Sequence, residues 1–244
     1  SRPTALTDLI PSRHPLIQAP MAGAQGSALA LAVCAAGGVG SLPAAMLSPE
    51  ALQAELQVLR QQAHGPWNVN FFCHPSPTAD SATEARWRQA LRPFYDEAGI
   101  DPAQVPAGAG RVPFSHAVAD MVEPFAPPVV SFHFGLPAPD LLARVKRWGS
   151  VVLSSATTVD EARWLQAHSA DAVIAQGLEA GGHRGMFLTA DLSTQLGSFA
   201  LLPQIAQAVD VPVVAAGGIA NADGVRAAMA LGAAGVQVGT AYLC

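Results

Sequence analysis

Short apolar runs recur along the chain, most followed by a longer stretch with helical periodicity. Strand-like runs occupy 16–19, 39–42, 68–72, 129–132, 151–154, 172–175, 211–215 and 235–238. Most are close to continuously apolar rather than alternating, which is the pattern of strands buried on both faces of a parallel sheet. Helical patterns fill the gaps at 27–36, 49–62, 139–148, 159–167, 198–208 and 222–231. Eight strands alternating with helices in 244 residues predict an α/β fold, a (β/α)8 TIM barrel.

Local chemistry supports these boundaries. Ser48-Pro49-Glu50 places a cap, a first-turn proline and an acid at one helix start, and Thr158 with Glu161 has capping-box spacing. Gly37, Gly149 and Gly232 stand where helices should stop. The spacing in 170–177 recurs in 233–239, as a repeated strand–helix unit would. The gap 73–127 is too long for one helix; we expect a helical insertion after the third strand, over the mouth of a barrel formed by 1–72 and 128–244.

Half of the residues are hydrophobic and 13% are charged, which suits a single large core. A net charge of -5, with 13 Lys+Arg scattered along the chain, argues against a nucleic-acid partner and leaves anions to be held by backbone amides. Cys34, Cys73 and Cys244 form an odd set without CxxC, so neither a disulfide framework nor a metal site is expected, and the compartment reads as cytoplasmic. The N-terminal stretch is no signal sequence and no run spans a bilayer, so no membrane partner is expected. The pattern sets no oligomeric state.

The candidate chemistry gathers at strand ends. In DAVIAQGLEAGGHRG, 171–185, a buried strand ends at Gln176 and leads through Gly181 and Gly182 to His183. Glycines let a planar ligand approach the backbone, and histidine exchanges protons near neutrality. A second histidine, His133, ends the fourth strand in SFHFGLP. If both face the centre, one takes a proton and the other stabilises developing negative charge. Gly217 and Gly218 close the seventh strand before a helix start at Asn221, and Gly239-Thr240 close the eighth. Either glycine turn alone is ordinary; both at these two strands form the usual phosphate cradle of a barrel. Met21, Ala22 and Gly23 after the first strand would accept a flat ring, although Met21, like Trp67, also suits packing. Asn70 and Gln176 offer amides to the heteroatom edge of a flavin. The other five histidines, His14, His64, His74, His116 and His168, read as surface.

Taken in order, QAPMAG, AGGVGS, NVNFF, SFHFGLP, AQGLEAGGHRG, PVVAAGGIA and VQVGTAYL show that the chain resembles the nitronate monooxygenase family, formerly called 2-nitropropane dioxygenases, in its HFGLP-containing class. The resemblance covers nearly all of the chain outside the insertion. It implies an FMN-dependent barrel that oxidises alkyl nitronates, or nitroalkanes, with molecular oxygen to a carbonyl compound and nitrite. It implies His183 as the base, His133 as a pocket residue near the nitro group, and FMN contacts at Met21, Ala22, Asn70, Gln176, Gly181, Gly217, Gly218, Gly239 and Thr240. Family members continue past the eighth strand, whereas this sequence stops at Cys244, so the resemblance implies a missing C-terminal part. The alternatives are an FMN-dependent, NAD(P)H-linked enoyl-thioester or quinone reductase, favoured less because of HFGLP, and a non-catalytic flavin-binding module.

Overall fold

The computed structural model describes residues 5–76, 78, 80–105 and 112–243; Cys244 lies outside the described residues. In chain order the elements are α1 (Leu6–Leu9), β1 (Leu16–Gln18), α2 (Ser27–Ala36), β2 (Gly40–Pro43), α3 (Pro49–Gln62) and β3 (Trp67–Phe72). Then come α4 (Ser81–Ala90), α5 (Arg92–Ala98), α6 (His116–Val122), β4 (Val129–His133), α7 (Pro139–Arg147), β5 (Val151–Ala156) and α8 (Val159–Ala167). The chain ends with β6 (Ala172–Gln176), α9 (Ser198–Ala208), β7 (Val213–Ala216), α10 (Ala222–Ala230), β8 (Gly235–Val238) and a 3-10 turn at Thr240–Tyr242. The strands form one parallel sheet ordered β1-β8-β7-β6-β5-β4-β3-β2. A parallel bridge between Ile17 and Val39, with Gln18 N donating to Val39 O at 2.9 Å, joins β1 back to β2. This is the expected TIM barrel.

The local signals act as read. Ser48 accepts from Ala51 N at 3.2 Å, and Gly37, Gly149 and Gly232 follow their helices at φ 95, 92 and 106°. Thr158 accepts from Glu161 N at 3.2 Å, but the reciprocal half of the capping box is absent: the Glu161 carboxylate accepts from Thr157 N at 2.7 Å instead. That acid is fully buried and serves a different purpose, described below.

Alternation along the strands divides the core in two. Val69, Val130 and Val152 on one side, and Val173, Val213 and Val236 on the other, pack outward under the helices. Ile17, Val39, Val129, Leu153, Ala172 and Val214 fill the lower barrel interior, together with Leu6 and Ile10 from α1 and the residue after it. Leu6 N donates to Ala234 O at 3.2 Å, and Gly235 is needed there because a Cβ would lie 2.4 Å from Leu6 Cδ2. Nothing in the sequence pattern predicted this plug. Higher in the barrel the interior turns polar. Ser155 is paired with Ile174, Gln176 with Ala216, and Gln237 with both Ile17 and Ala216, so all three side chains share the inner face.

Residues of Pro75–Val112 form a second compact unit, and those of Ser1–His74 with Pro113–Cys244 form the barrel unit. In the smaller unit Asp80 caps α4 by accepting from Ala82 N at 3.0 Å, Arg88 donates to Pro102 O, and α5 stops at Gly99. The helix α6 belongs to the barrel unit, where Ala119 and Val122 are buried. Among the described residues no helix is long and apolar enough to cross a membrane.

Candidate active site

Because the strands are parallel, all their carboxyl ends lie on one rim, and both candidate histidines and the candidate ring and phosphate contacts stand at or just beside those ends. The loop after β6 is its most elaborated part. Gln176, buried at the end of β6, donates through Nε2 to His183 O at 2.9 Å and accepts through Oε1 from Gly185 N at 2.7 Å. A single amide thus fixes the backbone on both sides of His183. Arg184 turns the other way and donates to Gly177 O at 2.7 Å and Ala180 O at 3.0 Å, closing the loop on itself. Glu179 accepts from Ser198 N at 2.7 Å and Ser198 Oγ at 2.8 Å, tying the loop to the start of α9. Burial pushes the Glu179 carboxyl up, but those bonds and the nearby Arg184 charge outweigh it and hold it below the usual range.

With its backbone fixed, the His183 side chain is exposed at the rim. Its ring centroid is 5.3 Å from Phe72, at the end of β3, and 5.9 Å from Phe134, just past β4. Phe134 adopts φ 66°, a left-handed conformation that costs a non-glycine residue about 1–2 kcal/mol. Gly135 follows at φ 88°, and Ser154 Oγ secures the turn by donating to Gly135 O at 2.8 Å. The HFGLP stretch is therefore a strained corner that sets an aromatic wall beside two histidines.

His133 lies behind His183. Its Nε2 is 3.0 Å from His183 O and its Nδ1 is 3.0 Å from Ser155 Oγ. Burial pushes this imidazole down to about 4, against the opposing effect of the bond to the His183 carbonyl; the charges of His183 and Arg184 lower it further. It is therefore neutral near pH 7.

The remaining predicted residues group around the rim. Asn70 is buried and donates to Ser131 Oγ at 3.0 Å. Gly217 and Gly218, at φ 113 and 73°, pack against the β6 loop: a Cβ on Gly217 would lie 2.8 Å from Ala180 N. Asn221 caps α10 by accepting from Gly224 N at 2.9 Å. A Cβ on Gly239 would meet Met21 Sδ at 3.6 Å, so the end of β8 adjoins the loop after β1. Ala22, Gly23 and Thr240 are exposed there, and among the described residues no atom lies within 4 Å of where a Cβ would project from Gly181 or Gly182. Trp67 is a core residue.

Sequence reasoning missed four contributors. Ser155 acts through His133, which the strand register brings to it, Glu161 through the far end of the His183 loop, and Arg184 through carbonyls of its own loop. Gln237 is the fourth. Its Oε1 is buried with no hydrogen-bond partner among the described residues, and a lone glutamine inside the apolar GVQV run was a visible signal.

Comparison with known proteins agrees with this geometry. A profile of the nitronate monooxygenase family matches residues 3–244. The chain is 42% identical over 244 residues to a nitronate monooxygenase of Paraburkholderia phytofirmans, covering 98% of this chain and 66% of that protein. It is 41% identical over 241 residues to one of Pseudomonas aeruginosa, covering 97% and 68%. The chain thus spans about two thirds of the length of these curated relatives. Among solved structures, nitroalkane oxidase from Streptomyces ansochromogenes is similar with a TM-score of 0.86 at 40% identity, over 98% of this chain and 68% of that one. FabK from Thermotoga maritima is more distant, with a TM-score of 0.71 at 30% identity, over 98% and 61%. By the family profile and these identities, the chain belongs to the nitronate monooxygenase family.

Proposed function

We propose that the protein oxidises alkyl nitronates, and nitroalkanes after deprotonation, with molecular oxygen to a carbonyl compound and nitrite, using FMN and His183 as the base. The observation that carries this reading is the exposed His183 imidazole, clamped at its own main chain by Gln176 and walled by Phe72 and Phe134. Such a group meets a small substrate in a defined direction, with an apolar surface beside it for an alkyl chain.

The residues present fit a flavin. Gln237 Oε1, unpartnered among the described residues, is an acceptor awaiting a donor, as the N–H edge of an isoalloxazine would supply. Gly181 and Gly182 leave open space where a side chain would otherwise stand. The turns at Gly217-Gly218 and Gly239-Thr240, with the start of α10, would hold the phosphate. Met21, Ala22, Gly23, Asn70 and Gln176 complete the proposed ring contacts. Bound here, FMN would supply the electron-accepting chemistry that amino-acid side chains lack.

The protein's own part is then positional and acid–base. The base form of His183 takes the proton from the carbon bearing the nitro group, or orients a nitronate already formed. Phe72 and Phe134 keep water from one side of the imidazole. The carbon–nitrogen bond is replaced by a carbon–oxygen bond and nitrogen leaves as nitrite, two nitronates consuming one molecule of oxygen. The test mixes FMN-loaded protein with propyl-2-nitronate in the absence and presence of oxygen and assays nitrite. We expect the flavin absorbance to change without oxygen and nitrite to appear with it. A flavin unaffected by nitronate but bleached by NADH overturns the reading in favour of a reductase.

A further inference from the structure

A main-chain carbonyl only accepts, so His133 Nε2, 3.0 Å from His183 O, carries the ring hydrogen. Nδ1 is then the lone-pair nitrogen, and the hydroxyl 3.0 Å from it, Ser155 Oγ, donates. Both nitrogens are committed to protein atoms, and the direction of each bond follows from the other. His183 O also accepts from Gln176 Nε2 at 2.9 Å. Ser155, His133 and Gln176 project from β5, β4 and β6, three neighbouring strands of a closed barrel, so their relative positions are rigid. Gly185 lets the loop lie on this platform, for a Cβ there would be 2.7 Å from His133 Cε1 and 3.1 Å from Ser155 Cβ.

We propose that Ser155 is a positioning residue: by donating to His133 Nδ1 it holds the ring with Nε2–H aimed at the His183 carbonyl, so that His133 and Gln176 form a two-donor clamp on that carbonyl and aim the His183 imidazole. The inference rests on reading His183 as the base. Without the serine hydroxyl, Nδ1 loses its partner and nothing holds the ring plane. A ring that turns away no longer aims Nε2–H at the carbonyl oxygen, and the clamp loses one of its two donors. His133 in this role touches no substrate; it acts through the backbone of His183.

The test uses histidine labelled with 15N and carbonyl 13C in the FMN-loaded protein, comparing wild type with Ser155→Ala, His133→Leu and His133→Gln. Ring nitrogen shifts at pH 7 give the His133 tautomer, and the His183 carbonyl 13C shift reports the clamp. We expect the Nε2–H form in wild type, and an upfield His183 carbonyl in Ser155→Ala and His133→Leu. Their kcat on propyl-2-nitronate should fall roughly tenfold to a hundredfold, the size of effect that misaimed reacting groups produce, with KM changing less. Glutamine at 133 places an amide N–H near the Nε2 position, so His133→Gln should restore most of kcat and the wild-type carbonyl shift. An Nδ1–H wild type, a Ser155→Ala protein with unchanged shifts, or a His133→Gln protein as impaired as His133→Leu would each overturn the proposal. If wild type itself releases no nitrite, the proposed function fails, while the tautomer and carbonyl shifts still decide the clamp.

Discussion

The buried carboxylate of Glu161 receives the main-chain N–H of Phe187 at 2.6 Å, so an acid on α8 anchors the far end of the loop that carries His183. The same oxygen accepts from Leu188 N at 3.2 Å, and the other from Thr157 N at 2.7 Å and Thr157 Oγ1 at 2.8 Å. All four donors meet a group with no solvent exposure. In Glu161→Gln an amide N–H must face at least one N–H donor, which leaves buried donors unpaired. Hydrogen bonds to charged groups contribute about 1.5–3 kcal/mol each, so we expect a loss of about 3 kcal/mol by urea denaturation. A loss below about 1 kcal/mol, within the range of a neutral hydrogen bond, would show that the knot is not what holds the loop.

Two glycines of one loop should behave in opposite ways. Gly185→Ala drives a Cβ to 2.7 Å from the His133 ring, so the loop must lift or the ring must move. Overpacking of this kind costs about 1–3 kcal/mol, and nitrite release should fall with it. Gly181→Ala meets no atom of the described residues within 4 Å and requires no left-handed backbone. Its melting temperature without ligand should match wild type, while its FMN dissociation constant rises, because the added methyl group occupies the space proposed for the ring. Equal FMN affinity in Gly181→Ala and wild type would move the ring away from this loop.

The depressed proton affinity of His133 has a thermodynamic sign. Burial sets its folded value at about 4, whereas an unfolded histidine titrates near 6.5. Between these values the unfolded chain binds a proton that the folded chain does not, so stability falls as pH is lowered through this window and is level above it. The loss reaches about 2 kcal/mol at pH 5 and about 3 kcal/mol below pH 4. Urea denaturation of wild type and His133→Gln between pH 7 and pH 5 isolates the contribution. Wild type should lose about 2 kcal/mol more than the variant, and parallel curves would show that His133 is solvated rather than buried.

The features legible in the sequence are those encoded locally. Helices α2, α3 and α8 begin and end at the expected residues: a left-handed glycine closes α2, Ser48 and Pro49 open α3, and Thr158 caps α8. The His183 loop was legible because paired glycines and a histidine follow a buried run. Ser155 and Arg184 were not, since a serine in a strand acquires meaning only when register brings His133 Nδ1 to it, and an arginine beside the base only when its loop folds back to set the Gly177 carbonyl before it. Glu161 was read as a capping-box partner of Thr158 from its spacing, which says nothing about Phe187, 26 residues on. The α1 plug was missed because four residues carry too little periodicity to register.

Gln237 sets stability against function. Among the described residues its buried Oε1 has no partner, and its backbone pairs with Ile17 and Ala216 on the inner face of the barrel. An unsatisfied buried polar atom costs about 1–3 kcal/mol, and a polar group kept at such a cost is expected where a ligand supplies the missing bond. Gln237→Leu, of similar volume, removes the orphaned oxygen. Without ligand the variant should be as stable as wild type or about 1 kcal/mol more stable. Addition of FMN should then raise the melting temperature of wild type and raise that of the variant much less, because ligand stabilisation follows affinity for the folded state. A variant destabilised without ligand would mean that Gln237 has a partner within the protein. A variant that gains as much from FMN as wild type would mean that the flavin makes its polar contacts elsewhere on the rim.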